Sequence, residues 1–226
     1  MGEWRKNVYG WSSRAMKRSG KGHKTGLWLS EFAEPYELFQ EQGAEVVVAS
    51  IKGGKAPIDP RSLNGETRAK WRNAIRELEE TLPLSEVSAE GFDALFLPGG
   101  HGTMFDFPDN EALQARIRQF FESDRVVAAV CHGPAGLVHV KLSSGEFLVK
   151  GRRVTAFTNE EERAVQLDSV MPFLLEDRLR EHGALFEAAP KWTNHVKVDG
   201  KLVTGQNPQS GVSAARNVLE LLGTGR

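Results

Sequence analysis

An α/β fold, with a mostly parallel sheet covered by helices on both faces, is predicted by two features of this 226-residue chain. Short, wholly apolar runs stopped by Gly or Pro recur along it, as the central strands of a parallel sheet require, because both faces of such strands are buried. Between these runs lie longer segments with apolar residues at helical spacing. Strands alternating with such segments give a parallel sheet with crossover helices. With 40% hydrophobic and 26% charged residues, the chain can bury one sizeable core, and a single domain is expected.

In chain order, "AEVVVAS" (44–50) reads as a strand and "RAKWRNAIRELEETL" (68–82) as a helix with Trp71, Ile75, Leu78 and Leu82 on one stripe. "FDALFLPGG" (92–100) is the next strand. "NEALQARIRQFFES" follows as a helix carrying Leu113, Ile117, Phe120 and Phe121 behind an Asp109 cap. "VVAAVC" is a strand, "PAGLVHV" a helix and "RRVTAF" a strand. "PFLLEDRLREHG" is a helix with Pro172 in its first turn and Gly183 beyond its end. "HVKVDGKLVTG" forms a hairpin turning at Asp199-Gly200, and "SGVSAARNVLELLG" closes the chain as a helix.

Composition narrows the function classes. A net charge of -1 gives no reason to expect nucleic-acid binding. No apolar run reaches the roughly 18 residues of a membrane span. The single cysteine excludes an intrachain disulfide framework and the usual zinc clusters, and a reducing cytoplasmic setting is the simplest compartment. "GGHGTM" lacks the dinucleotide fingerprint and the histidines are not at metal-ligand spacing, so neither cofactor nor metal is expected.

That lone cysteine, Cys131, sits where a fully apolar strand passes straight into the next segment, in "VVAAVCHGPAGL". Open α/β sheets gather functional groups at the carboxyl ends of their strands. A sharp strand–turn–helix connection needs small neighbours, here Ala129 and Gly133, and a following helix would turn its N-terminus to the sulfur and favour the thiolate. The pattern also fits a buried, inert thiol, and spacing alone leaves both readings open.

Four motifs in order, "FDALFLPGGHGTMFDF", "VVAAVCHGPAGL", "GRRVTAFTNEEE" and "LVTGQNPQS", resemble the ThiJ/PfpI superfamily of class I glutamine amidotransferase-like proteins. "KTGLWLSEFAEPYELFQEQGAEVVVASIKGGKAPIDPRS" resembles its branch of glutathione-independent glyoxalases and chaperone-like stress proteins. The resemblance spans about residues 24–222. It implies a flavodoxin-like three-layer sandwich with a nucleophile elbow, and a cofactor-independent lyase of the glyoxalase III type. The substrate expected is a small reactive 2-oxoaldehyde such as methylglyoxal, converted to D-lactate, and the remaining partner is a second copy of the chain.

The resemblance implies roles residue by residue. Cys131 is the nucleophile and His132 the histidine beside it. Glu31 approaches the sulfur from another loop, and a carboxyl near a thiolate should be protonated and act as a general acid. Glu162 is the acidic partner of the histidine, with Glu161 the alternative, while Glu34 reads as a surface carboxylate. The N–H groups of Gly100 and His132 form an oxyanion hole, and His101 lines the pocket. A cysteine amidase or peptidase could use the same parts, and a stress holdase or redox sensor could use the thiol without turnover.

The N-terminus departs from the pattern. Relatives open with an apolar interior strand, whereas residues 1–23 form an atypical basic segment ahead of the domain at 24–226. Up to Lys24 it holds Arg5, Lys6, Arg14, Lys17, Arg18 and Lys21 against Glu3 alone. "NVYGW" is its one strand candidate and Gly10 weakens it. The first strand is therefore expected to be atypical or missing, through a shifted start of the reading frame or, less simply, an organelle-targeting segment.

Overall fold

A computed structural model describes residues 7–12, for their backbone, and residues 24–223. Nine strands and eight α-helices follow in order among these residues. They are β1 (Asn7–Ser12), α1 (Leu29–Glu41), β2 (Glu45–Ser50), α2 (Gly65–Lys70), α3 (Arg72–Glu79), β3 (Leu82–Pro83), β4 (Ala94–Leu97), α4 (Thr103–Asp106), α5 (Glu111–Glu122), β5 (Val126–Val130), β6 (Arg153–Val154), α6 (Asn159–Ala164), α7 (Leu175–Glu181), β7 (Leu185–Phe186), β8 (Val196–Asp199), β9 (Leu202–Gly205) and α8 (Gly211–Leu221).

Seven strands form one sheet in the order β3-β2-β1-β4-β5-β9-β8. Every pairing in it is parallel except the β8–β9 hairpin, which turns at Gly200 with φ 58°. β5 shows why the sheet needs helices on both faces. Val126, Ala128 and Val130 pack with Phe39 of α1 and Ala214 and Val218 of α8. Val127 and Ala129 join Leu113, Ile117 and Phe120 of α5 in the core across the sheet. Alternate strand residues face opposite ways, so all five must be apolar.

The first strand is present, not missing. Residues 7–12 pair along their whole length with 45–50 of β2, and Val8, Tyr9 and Gly10 pair on the other side with Ala94, Leu95 and Phe96 of β4. A ladder uses only backbone groups, which Gly10 supplies like any other residue, and two ready-made neighbours offset a weak intrinsic preference.

Five expectations need correction. The helix expected over 68–82 is broken at Trp71, whose φ of -107° and ψ of 36° end α2 and begin α3, and Leu82 leaves the helix for β3, where it is exposed. The cap of α5 is Asn110, whose side chain accepts from the Leu113 N–H, and not Asp109. "PAGLVHV" forms only a four-residue 3-10 turn, Gly133–Gly136, and Pro172 lies ahead of α7 and outside its first turn. Arg153 and Val154 pair with β7 in a separate two-stranded sheet. Among the described residues no helix is long and apolar enough to cross a membrane.

Candidate active site

The site sits at the carboxyl ends of β4 and β5. Leaving β5, the backbone at Cys131 adopts φ 58°, a left-handed conformation that costs a non-glycine residue about 1–3 kcal/mol. The turn is pinned on both sides: the Cys131 N–H donates to the Gly205 carbonyl at 2.9 Å and its own carbonyl accepts from the Phe157 N–H at 2.9 Å. Space decides the glycine that follows, since a Cβ at Gly133 would run into the Leu97 carbonyl oxygen. The loop after β4 is equally close, and a Cβ on Gly99 would lie 2.6 Å from the His132 nitrogen. Thr103 Oγ1 joins the two turns, 2.9 Å from both the Gly100 and the His132 carbonyl.

Four expected residues meet here. Cys131 Sγ lies 3.3 Å from His132 Nδ1, and His132 Nε2 lies 2.7 Å from Glu162 Oε2. Of the two candidate carboxylates Glu162 is the one on the histidine. Glu161, at the third position of α6, turns back to the Thr158 N–H in a capping box and accepts from the Trp192 N–H and the Asn207 amide. Glu31, buried in α1, accepts from the Gly99 N–H at 2.8 Å and stands beside the Cys131 thiol. Glu34 lies a turn further on, 3.8 Å from Lys70 and away from the sulfur site. Among the described residues the Gly100 N–H donates to no carbonyl or side-chain oxygen, and the His132 N–H is turned to the Cys131 sulfur.

Burial sets the electrostatics. It pushes the Glu31 carboxyl up to about 8, against the pull of hydrogen bonds from Cys131 and Gly99, so Glu31 is protonated at neutral pH. Burial, followed by the neighbouring Glu31, also pushes the Cys131 thiol up. The helix expected to turn its N-terminus to the sulfur is only a four-residue 3-10 turn, which supplies little dipole. The thiol needs a base, and His132 Nδ1 is the one it faces. Burial opposes charge on Glu162 too, but His132 and the hydrogen bonds from His101 and His132 hold its carboxyl well below the usual range.

His101 does more than line the pocket. Its Nε2 lies 2.8 Å from Glu162 Oε1, so one carboxylate serves two histidines, whose rings are 4.1 Å apart. Its Nδ1 lies 3.1 Å from Arg61 Nη2. Arg61 in turn grips buried Asp59 through Nε at 3.0 Å and Nη2 at 2.7 Å. Sequence reasoning missed Asp59 and Arg61. They stand in "DPRS", 40 residues from the histidine they reach, where only the fold shows the contact. Donor atoms of His101, His132 and Glu162 lie within 4.8 Å of one another. Each is already engaged in a hydrogen bond within the cluster.

The parts open on a cavity of about 350 Å³. Glu31, Arg61, His101, Cys131 and His132 line it together with the apolar Trp28, Phe157, Val165, Trp192 and Pro208. Trp192 stands at φ 62°, an outlier for so bulky a residue, anchored through its N–H by Glu161.

Comparison with known proteins gives a consistent result. The pattern of the DJ-1/PfpI family matches residues 25–221. The chain is 34% identical over 218 residues to the glutathione-independent glyoxalase HSP31 of Saccharomyces cerevisiae, covering 89% of this chain and 91% of that protein. It is 32% identical over 212 residues to glyoxalase 3 of Candida albicans, covering 88% and 90%. The crystal structure of glyoxalase III from Candida albicans superposes with a TM-score of 0.85 at 30% identity over 96% of this chain and 97% of that one. The Francisella tularensis rapid encystment protein of 24 kDa superposes with 0.92 at 36% identity over 96% and 99%.

Proposed function

Since the chain belongs to the DJ-1/PfpI family, we propose that it is a glutathione-independent glyoxalase, converting methylglyoxal-type 2-oxoaldehydes to 2-hydroxy acids in the cytoplasm. The Saccharomyces cerevisiae relative carries that name at 34% identity and the Candida albicans relative is named glyoxalase 3 at 32%, each over most of both chains. One observation in the site carries the reading: the Glu31 carboxyl, wholly buried and hydrogen-bonded to the Cys131 thiol. An amidase or peptidase needs a nucleophile, a base and an oxyanion hole. An aldehyde-to-acid conversion must also move a proton between adjacent carbons, and Glu31 is the group for that. A 350 Å³ cavity, at the small end of ligand sites, suits a small aldehyde better than a peptide.

The chemistry runs from these positions. His132 Nδ1 takes the thiol proton as sulfur adds to the aldehyde carbon. The aldehyde oxygen develops charge where the N–H groups of Gly100 and His132 can meet it, and Glu31 protonates it to give a hemithioacetal. The Glu31 carboxylate then removes the proton from the same carbon while the His132 imidazolium protonates the ketone oxygen, giving an enediol; Glu31 returns its proton to the neighbouring carbon as His132 takes back the hydroxyl proton of the sulfur-bearing carbon, leaving a thioester. Water hydrolyses the thioester, freeing the thiol and the 2-hydroxy acid. Glu162 holds His132 in place and offsets the charge it gains.

The test is purified protein with methylglyoxal and no glutathione, followed by chiral analysis of lactate. D-lactate should accumulate, and Cys131→Ala should abolish turnover while changing the melting temperature little, because no other thiol exists in the chain. Aldehyde that persists with the wild type, or consumption that survives in the variant, sinks the covalent mechanism.

A further inference from the structure

Two histidines share one carboxylate, yet the mechanism uses only one. His101 and His132 each present Nε2 to an oxygen of Glu162, at 2.8 and 2.7 Å. Whichever histidine takes a proton claims the carboxylate's charge. If His101 were the imidazolium, Glu162 would be spent on it and His132 would lose the anion that favours its taking the thiol proton. What separates the two rings is their other nitrogen: Nδ1 of His132 faces Cys131 Sγ, and Nδ1 of His101 faces Arg61 Nη2.

A guanidinium has donors only. It can hold Nδ1 of His101 only while that nitrogen keeps its lone pair, so protonating His101 means breaking the Arg61 bond and bringing two cations together. Arg61 cannot drift away to relieve this. Its Nε and Nη2 are held by Asp59, which also accepts from the Arg61 N–H at 2.9 Å and from Thr25 Oγ1 at 3.0 Å. We infer that the Asp59–Arg61 pair is a positioning clamp that denies His101 a second proton, so that His132 alone of the two histidines on Glu162 serves as base for Cys131. The inference rests on the proposed function for its catalytic meaning. Burial first, then His132 and, after the opposing pull of Glu162, Arg61 hold His101 at about 4, in the direction the clamp requires.

Nitrogen NMR titration of histidine-labelled protein tests this. The titratable and charged groups facing His101 among the described residues are Arg61, Glu162 and His132, with Lys24 across a small neighbouring cavity. Glutamine can accept as well as donate, whereas lysine only donates. In Arg61→Gln the His101 midpoint should rise, and in Arg61→Lys it should stay low. At neutral pH, alkylation of Cys131 by iodoacetamide should slow in Arg61→Gln by about 10- to 100-fold, the size of effect that partners behind a functional histidine have. Methylglyoxal turnover should fall in kcat.

Removing Arg61 also strips buried Asp59 of its counter-charge, so Asp59→Asn/Arg61→Gln is measured alongside and should show the same rise without burying a lone charge. An unmoved His101 midpoint with wild-type alkylation in the folded variants overturns the clamp. A wild type that leaves the aldehyde untouched sinks the glyoxalase reading instead, and the titration and alkylation still decide the clamp.

Discussion

Glu31 ties the stability of the protein to pH as well as its chemistry. The carboxyl ordinarily titrates at 4.5 and in the fold at about 8, so the folded chain keeps a proton that the unfolded chain releases. Its contribution is complete below 4.5, declines as pH rises from there to 8, and is gone above that, when a charge must be buried. Glu31→Gln, isosteric with the protonated acid and unable to ionise, should show a melting temperature that falls less than the wild type's between pH 5 and 9. It should also lose about two to four decades in aldehyde turnover. Parallel melting curves would mean that Glu31 does not titrate in this range. At this scale much of the site was legible: Cys131, His132 and Glu31 stand in recognisable motifs. The choice between Glu161 and Glu162 was left open by the sequence, and the structure makes it by engaging Glu161 in a capping box with Thr158, which frees its neighbour. Asp59 and Arg61 were not legible, since nothing local in "DPRS" points to a histidine 40 residues away.

Elements place these residues through two kinds of glycine. Gly133 has ordinary backbone angles but no room, for its Cβ would meet the carbonyl at the end of β4. Gly145 has room but a φ of 84°. Gly133→Ala should cost about 1–3 kcal/mol through overpacking and should lose most activity by pushing β4 and its loop from the elbow. Gly145→Ala should lower the melting temperature through backbone strain alone and stay active. Comparing thermal melts with turnover for the two variants checks both; an active Gly133→Ala would show that the elbow tolerates displacement. The strands were legible because β4 and β5 are short, apolar on both faces and bounded by Gly or Pro, as buried strands of a parallel sheet are. The break between α2 and α3 at Trp71 was not, because the apolar spacing continues through it while the backbone does not. The helix expected after Cys131 failed for a related reason: apolar content in "PAGLVHV" reports burial, and this segment is buried without being α-helical.

At the scale of the molecule, the sheet depends on the strand that composition recommended least. β1 lies between β2 and β4, so its backbone groups are spoken for on both sides, and Gly10 is paired with Val48 and Phe96. Proline there removes a ladder donor from a central strand, which should cost roughly 3 kcal/mol or more. We expect Gly10→Pro to be recovered mainly as insoluble protein; a soluble variant with wild-type melting would show that the sheet holds without that pairing. Alternation of strands and helices made the parallel sheet legible, whereas the basic, glycine-containing segment gave no hydrophobic signal for its middle strand, whose place is set by its neighbours. The order of the strands also imposes a schedule. On the ribosome β1 emerges before either strand it pairs with; β2 follows after about 30 residues and β4 after about 80. At roughly 5–20 residues per second, one edge of β1 stays open for about 4–16 seconds after it is made. Through that interval the nascent chain carries an unpaired strand edge next to an incomplete core, and the yield of the protein in a cell will depend on what shields that edge until residue 97 has left the tunnel.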